Sequence, residues 1–325
     1  MLQVRVCSLG RPGGNPQSLR GSVPPWWNFC YPRAAKMRAA AIFGLGSSLR
    51  ELKPFQHDPA IEWTVGVPAE HEALDAILIF GGDGTVHRHL SSLVKLASSV
   101  LVVPSGSGND FARALGILHV RDALTAWKAF VSNANHVRVV DLGTIASLET
   151  PSPETYFSCA AGVGLDGEIA RRANALPRWL RAHGGYALSL PPALLQFRAF
   201  DLKLGVAQRV PAEFCLRSHQ PVLAAVFANT PVYGGGMKVA PTANMDDGLL
   251  NVCVIRDMAR VKLLSVFPSV YLGKHLGIRE VDYFPAARGR IETDRPLDIY
   301  ADGERVCRTP AEIGVAAQAL RVIVP

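Results

Sequence analysis

The chain has 325 residues, 49% of them apolar, and a formal charge of +7. That is material for two cored domains, and the positive balance suits an anionic partner such as a nucleotide, a nucleic acid or an acidic membrane surface. Three classes are disfavoured: no Lys/Arg run interleaved with aromatics makes a nucleic-acid track, no C-x-x-C pair makes a zinc site or disulfide framework, and no run of about 18 apolar residues spans a membrane. The six cysteines are scattered, which fits a reducing cytoplasm.

Residues 1–36 are rich in Gly, Pro, Ser and Arg, with no sustained period and no apolar h-region. They read as a disordered extension, or as sequence upstream of a start at Met37, with Trp26-Trp27 available to dock. From Met37 the pattern alternates. Arg38–Phe43, Ile61–Val67, Ala76–Phe80 and Val100–Pro104 read as strands, with short helices expected at Ser47–Lys53 and Glu70–Leu74. A helix from Val86 places Val86, Leu90, Leu93 and Val94 on one face, and Leu124, Trp127 and Val131 mark another. Strand–helix alternation predicts a doubly wound α/β domain over 37–140, whose ligands gather at the carboxyl ends of the strands.

After Val140 strand-like segments predominate, at Arg138–Leu142, Tyr156–Ala160, Leu202–Val206, Val222–Asn229, Leu250–Ile255, Arg290–Thr293, Leu297–Tyr300 and Leu320–Val324. Several alternate apolar with polar residues, as strands wet on one face do. The expectation is a mainly antiparallel, β-rich substrate domain over 141–325, with a helical insert around Asp166–Phe197 and a last strand free to return to the first domain.

Two elements carry chemistry. The apolar run Ala76–Phe80 ends in Gly81-Gly82-Asp83-Gly84-Thr85. Glycines permit tight turns and close backbone approach to a ligand, and a following helix points its free N–H groups at phosphate. Asp83 can engage magnesium or a reacting hydroxyl. The second is Pro104-Ser105-Gly106-Ser107-Gly108-Asn109-Asp110-Phe111-Ala112-Arg113, again after a strand. Asn109 or Asp110 can cap the helix carrying Phe111 and Leu115. Ser107 and the glycine amides add a second phosphate-binding lip. Neither loop matches G-x-x-x-x-G-K-[ST], so this is no P-loop.

GGDGT followed by PxGxGNDFAR resembles the diacylglycerol kinase catalytic domain family, which includes bacterial diacylglycerol kinases, related lipid kinases, and sphingosine and ceramide kinases. Further matches follow in order: Ala161–Asp166, Asn229–Met237, Ala240–Ala243, Asp246–Leu250 and Asp302–Glu304. The resemblance implies an NAD-kinase-like α/β nucleotide domain, a β-sandwich-like second domain and a catalytic cleft between them. It implies ATP and Mg2+ as cofactors, a lipid substrate met at a membrane surface by peripheral contact, and phospholipid metabolism as the setting. No nucleic-acid partner is expected, and homodimerisation stays open. Carried over by position, the ATP site comprises Thr64, Gly81, Gly82, Asp83, Gly84, Thr85 and on to Arg88, with Ser105, Gly106, Ser107, Gly108 and Asn109. Glu304 takes the place of the general base with Asp302 as its partner or rival, and Asp83 stands near the phosphates. A structural magnesium falls on Asp247 and on main-chain oxygens of Asn244 and Leu249. Read alone, Asp246-Asp247-Gly248 and Asp302-Gly303 are also ordinary hairpin turns.

The chain departs from the family pattern in three places. Ile42-Phe43-Gly44-Leu45-Gly46-Ser47-Ser48 stands where an Asn-Pro-x-x-Gly turn is usual, His87-Arg88 stands where Asn-Glu is common, and Ser107 replaces a threonine but keeps its hydroxyl. The leading expectation is an ATP-dependent kinase acting on a hydroxyl of diacylglycerol or a long-chain-base-like lipid. The alternatives are an NAD-kinase-like small-molecule kinase, or a nucleotide- or lipid-binding regulator that has lost turnover. The basic and apolar stretch Arg171–Arg181 is a candidate for contact with an anionic bilayer, against an ordinary solvated helix.

Overall fold

The computed structural model describes residues 36–69, 72–132, 136–150, 153–176, 192–208 and 213–325. Trp26-Trp27, the start of the expected helix at Glu70, and the Pro177–Arg181 end of the basic stretch lie outside them. Among the described residues no helix is long and apolar enough to cross a membrane.

The α/β part is built on parallel strands β1 (Arg38–Phe43), β2 (Glu62–Val65), β3 (Ala76–Gly81) and β4 (Ser99–Pro104), in the order β4-β3-β1-β2. Every residue of β3 and β4 is buried, as expected of central parallel strands covered on both faces. Helix α1 (Asp83–Leu96) buries Val86, Leu90 and Leu93. Helix α2 (Asp110–Ala114) is a single turn. Helix α3 (Val120–Ser132) buries Trp127, whose indole N–H donates to the carbonyl of Phe55 at 2.9 Å. A 3-10 helix, Leu49–Phe55, carries that carbonyl. No helix forms at 72–74. There the Glu72 carboxylate and the Ala73 carbonyl accept from the Arg38 guanidinium, which holds the segment extended beside β1.

Strand β5 (Val137–Ser147) runs unbroken through residue 140 into the antiparallel part. That part comprises β6 (Thr155–Phe157), β7 (Ala160–Gly164), β8 (Phe200–Ala207), β9 (Cys215–Ala228), β10 (Leu250–Arg256), β11 (Val281–Ala286), β12 (Arg288–Thr293), β13 (Asp298–Ala301), β14 (Glu304–Arg308) and β15 (Ala311–Ile323). Its own core gathers Phe157, Phe200, Phe227, Ile291 and Ile313. Helix α4 (Leu165–Ala175) follows β7, and helix α5 (Arg260–Tyr271) follows β10. Strand β15 lies antiparallel to β5 and also meets β4 in parallel register through Val322 and Val100. Its bulge, with Gln318 at φ +53°, is held by the buried Asp141. One Asp141 oxygen accepts the Gln318 N–H and the other the Gly248 N–H, both at 2.7 Å. The architecture is an α/β unit continued by an antiparallel, sandwich-like one.

Candidate active site

Both glycine loops lie where buried parallel strands end, and they touch. A Cβ on Gly82 would come within 2.9 Å of Gly106 Cα, so only glycine backbones approach this closely. The helix begins earlier than its apolar spacing suggests: Gly82 is the extended N-cap and Asp83 the first helical residue. The Gly82–Thr85 loop is thus itself the N-terminus of α1: the Thr85 and Val86 N–H groups donate to the Gly82 carbonyl, and the amides of Asp83 and Gly84 come before the first intrahelical bonds. Thr85 folds back against the first turn, where a Cβ on Gly44 would lie 2.3 Å from Thr85 Oγ1. The unusual Phe43–Ser48 turn therefore stands at the phosphate loop. Glu51 extends this wall: one oxygen accepts the Ser48 N–H and the other the Ser105 hydroxyl.

The acids divide by what they already hold. Asp83 accepts the N–H groups of Asp110 and Phe111, both at 3.1 Å. It caps α2 from the other loop, the role expected of Asn109 or Asp110. Asn109, at φ +53°, instead turns its amide back on Gly106. Burial, then the charge of Asp110, pushes the Asp83 carboxyl up to about 6 against those two amides. Asp110 is itself buried and held above the usual carboxylate range by that burial. Its Oδ2 accepts the Gly235 N–H at 2.8 Å, and its Oδ1 is buried without a hydrogen-bond partner. Arg113 stands 3.8 Å away and donates to the Gly108 carbonyl.

Asp302 and Glu304 enter from the β13–β14 turn, where Asp302 and Gly303 both have positive φ. Asp302 is fully committed. It accepts the N–H groups of Ser158 (2.7 Å), Cys159 (2.8 Å) and Ala160 (3.2 Å), the Ser158 hydroxyl (3.0 Å) and Nδ1 of His87 (3.2 Å). Glu304 is exposed, and its Oε1 lies 3.3 Å from where a Gly84 Cβ would be. It stands directly over the first turn of α1. His87, one turn into that helix, joins the two sides. Burial opposes its charged form, but the hydrogen bond and charge of Asp302, then the charge of Glu304, outweigh this and raise its pKa.

Of the expected site residues, the structure brings Gly81–Thr85, Ser105–Asn109, Asp302 and Glu304 together. Thr64 is exposed on β2, separated from β3 by β1. Asn244, Asp247 and Leu249 share a separate turn. There Asp247 Oδ1 accepts the Leu249 N–H, and Arg138 binds Asn244 Oδ1 and Asp246. Among the described residues no three His, Cys, Asp or Glu side chains converge as a metal cage. Asp110 and His87 are site residues outside the expected set: Asp110 was expected as a helix cap and His87 only as a departure from the family pattern.

Beside the site lies an apolar cavity with about 670 Å3 of open space counted to its mouth, lined by Ile169, Val226, Met237, Cys253, Phe267 and Val270 among others. Asp166 is the acid in its lining, and the Tyr233 hydroxyl reaches Asp166 at 3.4 Å.

Residues 53–145 match the family model for the diacylglycerol kinase catalytic domain, and residues 159–324 match that for the YegS C-terminal NAD kinase beta sandwich-like domain. A diacylglycerol kinase of Mycobacterium tuberculosis is 32% identical over 253 residues, covering 77% of each chain. A diacylglycerol kinase of Bacillus subtilis is 24% identical, over 77% of this chain and 78% of that one. A crystal structure of a diacylglycerol kinase from Bacillus anthracis superposes with a TM-score of 0.60 at 18% identity, over 89% of this chain and 97% of the other, and so shares its fold.

Proposed function

We propose a function on one premise: the chain belongs to the diacylglycerol kinase catalytic domain family. It transfers the γ-phosphoryl group of ATP to the hydroxyl of a membrane lipid, with diacylglycerol as the first acceptor to test. The observation that carries this reading is the placement of Glu304, an exposed carboxylate whose Oε1 lies 3.3 Å from where a Gly84 Cβ would be, beside the first turn of α1.

Phosphoryl transfer needs positioning and charge neutralisation more than covalent chemistry. The α1 N-terminus and the Ser105–Asn109 lip hold phosphate oxygens. The Asp110 Oδ1 without a hydrogen bond and the raised Asp83 carboxyl fit a divalent cation, because among the described residues neither acid has a cationic group at hydrogen-bond distance, Arg113 standing 3.8 Å from Asp110 Oδ1. Asp83 and Asp110 would hold magnesium, which supplies charge neutralisation on the phosphates. Glu304 takes the hydroxyl proton as the lipid oxygen bonds to the γ-phosphorus and the bond to the bridging oxygen breaks, releasing ADP. Asp302, saturated with donors, fixes the turn that carries Glu304 and does not accept the proton. The apolar cavity takes an acyl chain. At the Asp247 turn, the carboxyl is raised by burial and by Asp141 and Asp246. This fits a structural cation on Asp247 with main-chain oxygens of Asn244 and Leu249, and no catalytic step passes through it.

The test is radiolabelled ATP with extracted total lipids in mixed micelles, with NAD as a control acceptor. Labelled lipid that is lost with Glu304→Gln is expected. Labelled NADP without labelled lipid, or nucleotide binding without any product, would replace this reading.

A further inference from the structure

Helix α5 is apolar on two opposite sides. Leu263, Phe267 and Val270 face inward and line the cavity. At the complementary helical spacing, Val261 (80% exposed), Leu264 (40%), Pro268 and Leu272 (65%) make a stripe toward solvent. A surface helix that obeys the usual division of faces would be polar there. The helix carries Arg260 and Lys262 and no acid. Lys274 follows its end, and Lys238 lies beside that end, with its N–H bonded to the Val270 carbonyl. Lys238 and Lys274 make no ion pair among the described residues, whereas Lys262 is paired with Glu280 at 2.6 Å. The last helical residue, Tyr271, has its phenol raised by burial and then by the charge of Asp110, which places this end of α5 near the phosphate site.

We infer that the outer stripe of α5, with Lys238 and Lys274 at its end, is the surface by which this protein docks on an anionic lipid bilayer. Two observations select this occupant. Exposed apolar side chains flanked by unpaired lysines complement the acyl–headgroup boundary of an acidic membrane. The same helix walls the apolar cavity, so docking sets the cavity against the phase that holds its ligand. The meaning of the cavity rests on the kinase reading above; the docking itself does not.

The experiment is co-sedimentation of the full chain with vesicles of phosphatidylcholine, with and without phosphatidylglycerol. It compares wild type with Val261→Ser/Leu264→Ser/Leu272→Ser and with Lys238→Glu/Lys274→Glu. Melting curves confirm folding, and phosphorylation of a short-chain diacylglycerol kept monomeric in solution is followed in parallel. Wild type binds the acidic vesicles, and each variant loses roughly tenfold or more in vesicle affinity. Each retains its melting temperature and its rate on the monomeric acceptor. Variants that bind like wild type, or a wild type indifferent to phosphatidylglycerol, overturn the proposal. So does a wild-type dimer that the serine substitutions convert to monomer, because the stripe would then be covered by a second copy. Vesicle binding by a protein that phosphorylates no acceptor would leave the docking surface standing and remove only the kinase reading.

Discussion

Asp302→Asn and Glu304→Gln change one atom each, two residues apart, and the structure assigns them opposite consequences. Asn at 302 turns one acceptor oxygen into a donor. If it replaces Oδ1, the amides of Cys159 and Ala160 face an N–H; if it replaces Oδ2, Ser158 and His87 do. The cheaper choice orphans two buried amides, at about 1–3 kcal/mol each. Some relaxation leaves a loss of about 3 kcal/mol, or a fall in Tm of roughly 4–5 °C for a chain of this size. Glu304 is exposed, so Glu304→Gln should move stability by less than about 0.5 kcal/mol. Its kcat should nonetheless fall by about 10²–10⁴, the usual worth of a positioned base. Thermal melting and steady-state kinetics on the same preparations read both quantities. An Asp302→Asn protein that melts with wild type, beside a Glu304→Gln protein with full kcat, would refute the assignment of anchor and base.

Three further outcomes follow from the geometry. Asp83 has its pKa raised to about 6, so it stabilises the empty protein fully below its unfolded value near 4. That contribution, on the order of 3 kcal/mol at most, is lost as pH rises through 6. Asp110 and His87, also raised, act in the same sense, so denaturant melts of wild type minus Asp83→Asn between pH 4 and 7 isolate it; identical slopes would contradict it. Ala224→Leu projects into the apolar cavity and should raise KM for a long-chain acceptor about tenfold, with KM for ATP unchanged; equal effects on both would place the acyl chain elsewhere. Gly44→Ala drives a methyl onto Thr85 Oγ1 and should cost about 1–3 kcal/mol and weaken nucleotide binding. Thr85→Ala in the same protein should recover part of that, and a double mutant no better than the single would show that the contact is not the cause.

The strand ends and glycine loops were legible because one local cause governs each: β3 is apolar throughout since both faces are covered, and its loop is glycine-rich since two backbones touch at Gly82 and Gly106. The start of α1 at Asp83 was not, because glycine propensity argues against helix there, while phosphate loops place glycines in a first turn for ligand access. Helix α5 escaped for a related reason: apolar residues on both faces erase the 3.6-residue period, and Pro268 interrupts what remains. Strand β15 was expected only over Leu320–Val324, yet runs from Ala311 across a bulge pinned by Asp141. The hydrogen bonds that Asp83 accepts from the α2 amides, and the one between His87 and Asp302, join positions 27 or more and 215 apart. No spacing rule reaches that far.

Four carboxyls meet at this site, and residue type alone does not assign them work. What separates them is how many donors each has already accepted. Asp302 holds three backbone N–H groups, a hydroxyl and an imidazole. A carboxylate so satisfied has no lone pair to offer a lipid proton, and its role is to hold the turn. Asp83 has spent part of its capacity on two amides, yet burial and then the charge of neighbouring Asp110 raise its pKa. Asp110 keeps Oδ1 without a hydrogen bond in a buried place, with the Arg113 guanidinium 3.8 Å off, an arrangement costly to retain unless a cation comes closer. Glu304 alone is exposed and stands over the phosphate loop. The His87-Arg88 departure then has a physical meaning: His87 ties the saturated anchor to the helix that bears the phosphate loop. Loss of that tie should loosen Glu304 against Gly84 and lower kcat more than it raises KM for ATP.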